Sequence, residues 1–582
     1  MARTLKCWYS FEMSLLRTPR VLTYTEGNTR DTRNGEGIEG PPESSGHGMW
    51  EEKCWRTREA PKVPAMGNHR NQGIRVLRHR MGKLGYGTIP EPKVLLETHA
   101  PGGPETAIDP WGVLSGIVLG GGESPLQGEG PNGSMQPAKE TRAGRVGLES
   151  HEPTSLRGIS QRARQSKNHR FQNLNRCLNA GFLKECWHDL NKAAASGVDG
   201  ITTAQYQENL ESNLQELTKK LENGSYRAKL IRRCYIPKEN GQERPLGIPA
   251  LEDKLVQLAC AQLLNALYEE DFMASSYGYR PGRSAKDAVA DLTFNLQYGS
   301  YGYIVEADIQ GFFEHIEHDW LLKMLAQRID DRAFLNLIRK GLKAGILDTD
   351  GKIIHPETGT PPGGIISLVL ANVYLHYALD LWFEKVVRKQ LRGEAIRCRY
   401  ADDFVCAFRD QEDAEYFYRT LPERLSKFEL KVAPEKTQIL RFSRFHPGMK
   451  RRFAFLGFEL YWSPDRQRTP RVKRRTARKK LLGACRRIKE WIKENRHLPG
   501  RQFIKELNRR LQGHYQYYGI RGNSEALHRF YRWAKDCAFK WLNRRGGKKT
   551  SLTWGAFTRA LERLGIARPT ITEPKRPHRV FA

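Results

Sequence analysis

Apolar residues recur with recognisable periods beyond about Ser155, and no period of 2 or 3.6 is sustained before it. Leu255, Leu258, Ala259, Leu263, Leu264 and Leu267 fall at helical spacing and predict a helix within residues 251–272. Residues 182–222 predict helical segments around the loop Ser196-Gly197-Val198-Asp199-Gly200. Residues 232–237 read as a strand, with Glu239-Asn240-Gly241 as its hairpin turn. Residues 303–308 read as a short buried strand ending in an acid; after Gly311, Phe312, Phe313, Ile316, Leu321 and Leu325 continue at roughly helical spacing. Residues 396–400 and 404–408 read as two strands joined tightly through Ala401-Asp402-Asp403. Residues 472–545 predict an almost purely helical segment, with Leu481, Leu482, Cys485, Ile488, Trp491 and Ile492 as its apolar stripe. The fold class that follows is α+β, with a helical module after the mixed body.

Charge sharpens this division. The chain has 582 residues and a formal net charge of +31. Residues 1–150 hold 19 Lys+Arg against 17 Asp+Glu, so nearly all the excess lies beyond them. The same stretch has 23 of the 53 glycines and 13 of the 30 prolines, which punctuate any helix or strand before it lengthens. Residues 1–154 therefore read as a weakly structured extension, and Gly120-Gly121-Gly122 within it as a flexible turn, since no P-loop lysine or G-x-G-x-x-G pattern accompanies it. A surplus this large favours a polyanionic partner, with nucleic acid ahead of a membrane surface. No run of 18 apolar residues is present, so no membrane span is expected. The ten cysteines form no C-x-x-C pair, which argues against a zinc ribbon or a disulfide framework.

The candidate chemistry is acidic. Asp308 stands where a strand meets a helix, and Asp402 and Asp403 stand in a turn between apolar strands. Converging carboxylates repel unless a cation lies between them. Mg²⁺ takes oxygen ligands and leaves positions open for phosphate oxygens, and a pair of such ions can stabilise an in-line phosphoryl displacement. An acidic centre in a basic body suits nucleotide polymerisation.

From Tyr400-Ala401-Asp402-Asp403 outward the chain resembles the group II intron-encoded reverse transcriptase/maturase family, over roughly residues 165–545. The resemblance is carried by Tyr235-Ile236-Pro237-Lys238 with Arg244-Pro245-Leu246-Gly247-Ile248-Pro249, and by Ser276-Tyr277-Gly278-Tyr279-Arg280-Pro281-Gly282-Arg283-Ser284. It continues through residues 308–313 and 361–375, Pro434-Glu435-Lys436-Thr437, Phe455-Leu456-Gly457-Phe458 and Gly513-His514-Tyr515-Gln516-Tyr517-Tyr518-Gly519.

Beyond the extension over 1–154, the resemblance implies a right-hand polymerase, with fingers and palm over 155–458 and a basic helical thumb or maturase domain over 459–582. It implies that Asp308, Asp402 and Asp403 are catalytic and, with the Ile309 carbonyl, hold two Mg²⁺ ions, Asp403 being the less secure ligand. Lys238, Arg244, Gly363, Gly364 and Lys436 would bind the incoming nucleotide, and Phe313 would be the steric gate against a ribose 2′-OH. Arg474, Arg475, Arg478, Lys479, Lys480, Arg486 and Arg487 would bind RNA, with aromatic residues interleaved for base stacking.

The implied partners are group II intron RNA, an RNA template with DNA primer, dNTPs and target DNA, with room for a homodimer. The implied setting is the bacterial cytoplasm, in a nucleoprotein, ahead of an organelle. No His/Asn cluster or paired cysteines follow Arg545, so the endonuclease domain of some relatives is not expected. The chain departs from the family at Pro362, where Gln is usual, at Leu368, where Pro is usual, and at Gln310, where Lys is frequent. Proline lacks both the amide side chain and the N–H. The readings are thus an RNA-directed DNA polymerase that also assists splicing and mobility, and, as the alternative, a splicing-only maturase with an impaired polymerase site.

Overall fold

The computed structural model describes residues 155–237, 243–360, 363–446, 451–544, 551–575 and 577–581. The expected extension, Gly120–Gly122, the Glu239–Gly241 turn, Lys238 and Pro362 lie outside the described residues.

Helices dominate the N-terminal lobe, and the helix Leu251–Tyr268 is its axis. Its apolar residues point all round rather than along one stripe, and Leu255, Leu264 and Leu267 are wholly buried. The helices Leu156–Gln165 and Ala180–Asp189 pack on it. Strands β1 (Ile231–Pro237) and β2 (Glu243–Ile248) form an antiparallel hairpin as expected, from Arg232↔Ile248 to Pro237↔Glu243.

Strand β3 (Tyr303–Ala307) follows the helix Ala285–Tyr298, whose start is fixed by a reciprocal cap between Ser284 and Asp287. The short β4 (Ile346–Leu347) pairs parallel with β1, and β5 (Ile353–Ile354) completes that four-stranded sheet in the order β2-β1-β4-β5. The helix Ser367–Leu375 then continues through two π-helical stretches, His376–Asp380 and Phe383–Val387.

Strands β6 (Ala395–Tyr400), β7 (Asp403–Phe408) and β8 (Gln438–Arg441) join β3 in an antiparallel sheet ordered β6-β7-β3-β8. Alternation along these strands serves two cores. Val305, Ala307, Phe404, Cys406 and Phe408 face the large N-terminal core, whereas Ile304, Ile396, Cys398, Val405 and Ala407 face a second one.

The second core is closed by β9 (Arg452–Phe455), β10 (Phe458–Pro464) and β11 (Pro470–Thr476), a three-stranded antiparallel sheet. Here the sequence reading needs correction: residues 470–476 form a strand, paired from Phe458↔Thr476 to Pro464↔Pro470, and the helix begins only at Arg478. Burial at Val472 and Thr476 with more open positions between them is strand periodicity, masked by four cations among the strand's seven residues.

Among the described residues four helices follow, Arg478–Asn495, Gly500–Tyr518, Ser524–Leu542 and Trp554–Arg563. Ala484, Ile488 and Ile492 of the first meet Leu507 and Leu511 of the second and Leu527, Phe530 and Ala534 of the third. Leu482, expected in the apolar stripe, is half exposed. Among the described residues no helix is long and apolar enough to cross a membrane.

Candidate active site

The antiparallel register builds the site. Ala307 pairs with Phe404, so one further step sets Asp308 opposite Asp403, the first residue of β7. Asp402 lies in the two-residue turn that closes on Tyr400↔Asp403. The three acids, spread over nearly a hundred residues of sequence, therefore share one edge of a sheet.

The turn itself is strained and braced. Ala401 has φ +57°, a left-handed conformation that costs a non-glycine residue about 1–2 kcal/mol. Arg399 Nη1 donates to the Ala401 carbonyl at 3.0 Å and to Asn372 Oδ1 at 3.0 Å. Its Nε and Nη2 reach Asp380 at 2.8 and 2.6 Å, and Arg397 reaches the same carboxylate at 2.5 Å. All three charged side chains are fully buried. Burial alone would raise the Asp380 carboxyl, but the two guanidinium groups outweigh it and hold it below the usual range. The π-helical stretch His376–Asp380 delivers Asp380 to this position. Below the turn, Tyr277 N–H donates to the Arg399 carbonyl at 2.9 Å and Asn372 Nδ2 to the Gly278 carbonyl at 2.7 Å.

The electrostatics follow from burial among like charges. Asp403 is pushed up to about 7, first by burial and then by Asp402 and Asp308, against a hydrogen bond from the Leu456 backbone. Asp402 is also raised, by burial foremost and by Asp308, while Arg244 and Arg399 pull it down. Lys436 Nζ lies 2.5 Å from Asp308 Oδ2 and is itself raised, chiefly by that hydrogen bond. The ammonium supplies the positive charge that this acidic edge requires.

The other expected residues fall around this edge. Arg244 is exposed on β2, close enough for its charge to act on Asp402. Gly363 has φ +104°, and a Cβ there would lie 2.6 Å from the Gly247 carbonyl of β2; Gly364 beside it is buried. Phe313 is half-buried, edge-on to Phe312 at 5.4 Å and to Tyr279 at 6.3 Å. Ile309 is buried and bridges Val432.

The turn Leu456-Gly457, with φ +51° and +76°, joins β9 to β10 beside Asp403, and Tyr517 Oη donates to the Leu456 carbonyl at 3.1 Å. His514 stacks on Phe530 with centroids 3.9 Å apart, and burial pushes its imidazole down to about 4. The Gly513–Gly519 signature thus docks the helical region on the sheet edge.

The basic residues divide into two groups. Arg478, Lys479, Lys480, Arg486 and Arg487 are exposed on the first helix. Arg474 and Arg475 stand on β11 instead: Arg474 is forked against Glu573 at 2.8 and 3.2 Å, and Arg475 pairs with Glu459 at 2.9 Å.

Sequence reasoning missed the roles of Asp380, Arg397, Arg399 and Asn372. The available signal was two arginines at alternate positions of a strand flanked by apolar residues, which demands a buried counter-charge.

Two family models match the chain: reverse transcriptase (RNA-dependent DNA polymerase) over residues 236–460, and group II intron, maturase-specific domain over residues 483–560. Protein YkfC of Escherichia coli is 33% identical over 312 residues, 48% of this chain and 79% of that protein. The chain belongs to the group II intron-encoded reverse transcriptase/maturase family. The group II intron-encoded protein LtrA of Lactococcus lactis is 28% identical over 400 residues, 55% of this chain and 65% of that protein. An uncharacterized 91 kDa protein in the cob intron of Schizosaccharomyces pombe is 41% identical over 155 residues, 27% of this chain and 19% of that protein. Asp308, Asp402 and Asp403 lie inside the polymerase match, and Arg486, Arg487 and His514 inside the maturase match. Arg478, Lys479 and Lys480 fall between the two.

Proposed function

We propose that this chain is an RNA-directed DNA polymerase that also binds its intron RNA and assists that RNA's splicing and mobility. The observation that carries the proposal is the meeting of Asp308, Asp402 and Asp403 at one sheet edge inside the polymerase match, with a lysine ammonium already on Asp308. On this reading the N-terminal lobe is the fingers, the four-stranded sheet with the three acids is the palm, and the helices beyond Arg478 are the thumb. The domains then run 155–458 and 459–582, the latter boundary falling at the start of β10.

Among the described residues no group of three or more His, Cys, Asp or Glu side chains is disposed to hold a metal ion as it stands. The donor chemistry nonetheless fits Mg²⁺: hard carboxylate oxygens crowded at an edge whose charge is met by Lys436. Asp308, Asp402, Asp403 and the Ile309 carbonyl would hold two ions once Lys436 turns aside. Bound there, Mg²⁺ supplies charge neutralisation for the attacking and leaving oxygens.

The remaining roles belong to the chain's own groups. Arg244, with Lys238, would hold the triphosphate; Arg offers a fork and Lys a point charge. Gly363 and Gly364 would let the backbone approach the nucleotide. Phe313 would fill the space of a ribose 2′-OH, selecting deoxynucleotides. Lys436, released from Asp308, would face the leaving pyrophosphate and could give it a proton. Arg478, Lys479, Lys480, Arg486 and Arg487 would contact RNA phosphates. RNA template, DNA primer, dNTPs and target DNA are the further partners, and the bacterial relatives support a cytoplasmic nucleoprotein setting.

One observation favours the second reading, a splicing-only maturase: Pro362 replaces the glutamine usual in the family. Primer extension on an RNA template with Mg²⁺ tests the proposal. Deoxynucleotide-specific extension is the expected result; tight intron binding and splicing with no extension under any divalent cation would establish the alternative.

A further inference from the structure

The segment beyond Ala567 returns from the helical region to the sheet that carries the acids. Thr572 and Glu573 donate backbone N–H groups to the Gly519 carbonyl at 2.8 and 2.9 Å. Lys286 Nζ, on the helix Ala285–Tyr298, donates to the Thr572 carbonyl at 3.1 Å and hydroxyl at 3.0 Å. Farther along, Phe581 N–H donates to Asn295 Oδ1 at 2.9 Å, and Asn295 Nδ2 donates to the Arg579 carbonyl at 2.8 Å. The Phe581 ring is buried in the core behind the sheet, 6.2 Å from Tyr277 and in one cluster with Ile304, Cys398 and Val405.

The hub of this contact is Asp291, whose carboxylate is 1% exposed. It accepts from the Arg579 backbone at 3.1 Å, Arg579 Nη1 at 3.3 Å and Tyr277 Oη at 2.8 Å, and His578 Nδ1 lies 3.2 Å away. Tyr277 is next to Gly278, on which the Ala401 turn rests. From Asp291 to Asp402 the path is therefore two side chains and one backbone contact.

We infer that residues 572–575 and 577–581 strap the catalytic turn in place, and that Asp291 is a positioning residue for primer extension, acting through Tyr277 and Gly278. The inference rests on the polymerase reading proposed above and adds a determinant that none of the acids supplies. A strap anchored at both Gly519 and Asp291 ties the helical region to the palm sheet, so the RNA-gripping surface and the catalytic turn keep one relative position. Loosening it should displace the turn without emptying the site of any ligand.

The experiment uses the full chain with Phe581→Ala, Asp291→Asn and the conservative Phe581→Leu. Amide hydrogen exchange is measured by mass spectrometry beside steady-state primer extension and RNA affinity, at a temperature where each variant is folded. Exchange in the peptides spanning 275–279 and 399–404 should rise in Phe581→Ala and Asp291→Asn, while the helix Gly500–Tyr518 stays protected. The turnover number should fall tenfold or more with the KM for dNTP and the RNA affinity within twofold, and Phe581→Leu should restore most of it. Unchanged exchange at 399–404, or a uniform rise throughout with turnover intact, would overturn the inference. Should wild-type protein never extend a primer, the polymerase reading falls, and with it the catalytic part of this claim; the exchange result would still decide whether the strap holds the turn.

Discussion

Gly278 and Ala401 meet backbone to backbone: a Cβ on Gly278 would lie 2.2 Å from the Ala401 nitrogen and 2.9 Å from the Tyr400 carbonyl carbon. Backbone cannot yield as the end of a long side chain can. Ala401 is moreover held from the other side by Arg399, itself locked on Asp380.

Gly278→Ala should therefore move the turn that carries Asp402. Primer extension is expected to fall by at least 100-fold, because catalysis by positioned charges is sensitive to shifts of about 1 Å. RNA affinity, proposed to rest on the exposed cations of the helix Arg478–Asn495, should stay within twofold. A variant that extends primers at the wild-type rate would show that the turn tolerates the displacement.

On the proposed reading Lys436 and Mg²⁺ would compete for one carboxylate. With Nζ 2.5 Å from Asp308 Oδ2, the ammonium has to leave before a metal ion can use that oxygen. Lys436→Met should lower the Mg²⁺ concentration giving half-maximal extension severalfold. The maximal rate should also fall, because the side chain proposed to serve the leaving group is gone. A Mg²⁺ titration with the same midpoint in both proteins would mean that the contact does not oppose metal binding.

Much of this site was legible along the chain, for a physical reason. The strands at 303–307 and 395–408 are short, apolar and punctuated by acids, so period and turn chemistry identified them and the three aspartates together. What escaped were pairings between distant segments. Nothing near Arg397 and Arg399 announces Asp380, which a π-helical stretch on the preceding helix delivers. Nothing near Asp291 announces Arg579, 288 residues away. Arg474 was misplaced because a cation-rich strand and a cation-rich helix look alike by composition; only the inward Val472 and Thr476 mark β11.

That difference separates the basic residues experimentally. Replacing Arg478, Lys479, Lys480, Arg486 and Arg487 by Gln should weaken RNA binding and flatten the slope of log K against log salt by about 4, if each neutralises one phosphate at roughly 0.7–0.9 per contact. Arg474→Gln should leave the slope nearly unchanged and lower stability instead, since Glu573, 4% exposed, would lose its guanidinium partner. Filter binding across a salt series, with urea unfolding of Arg474→Gln, gives both numbers. An equal slope change from Arg474→Gln alone would place RNA at β11.

Asp403 gives the metal-free chain a pH signature. Burial, Asp402 and Asp308 raise its carboxyl to about 7 from an ordinary 3.8, so the folded chain holds this proton more tightly than the unfolded one. The stabilisation from the protonated form is complete below the ordinary value and is lost as pH rises through about 7. In EDTA, urea midpoints should therefore fall between about pH 4 and pH 7 and level off above. Asp403→Asn should flatten that fall and be the more stable protein at pH 8. Parallel pH profiles for the two proteins would show that Asp403 is not the group responsible.

Replacing Asp402 and Asp403 together by Ala separates the two proposed activities. The double variant loses two of the three carboxylates at the sheet edge and leaves Arg478–Asn495 and its neighbours untouched. Phosphoryl transfer depends on positioning and charge neutralisation, so cDNA synthesis should drop by several orders of magnitude. If the chain's part in splicing is to bind and stabilise folded RNA through its basic helical surface, splicing assisted by the double variant should stay near the wild-type level. Both are measured on one preparation, by primer extension and by splicing of a precursor transcript at limiting Mg²⁺. Loss of both activities, with unaltered circular dichroism, would mean that the acidic edge itself contributes to RNA folding. Loss of synthesis alone would assign the carboxylates to polymerisation and the helical region to the intron.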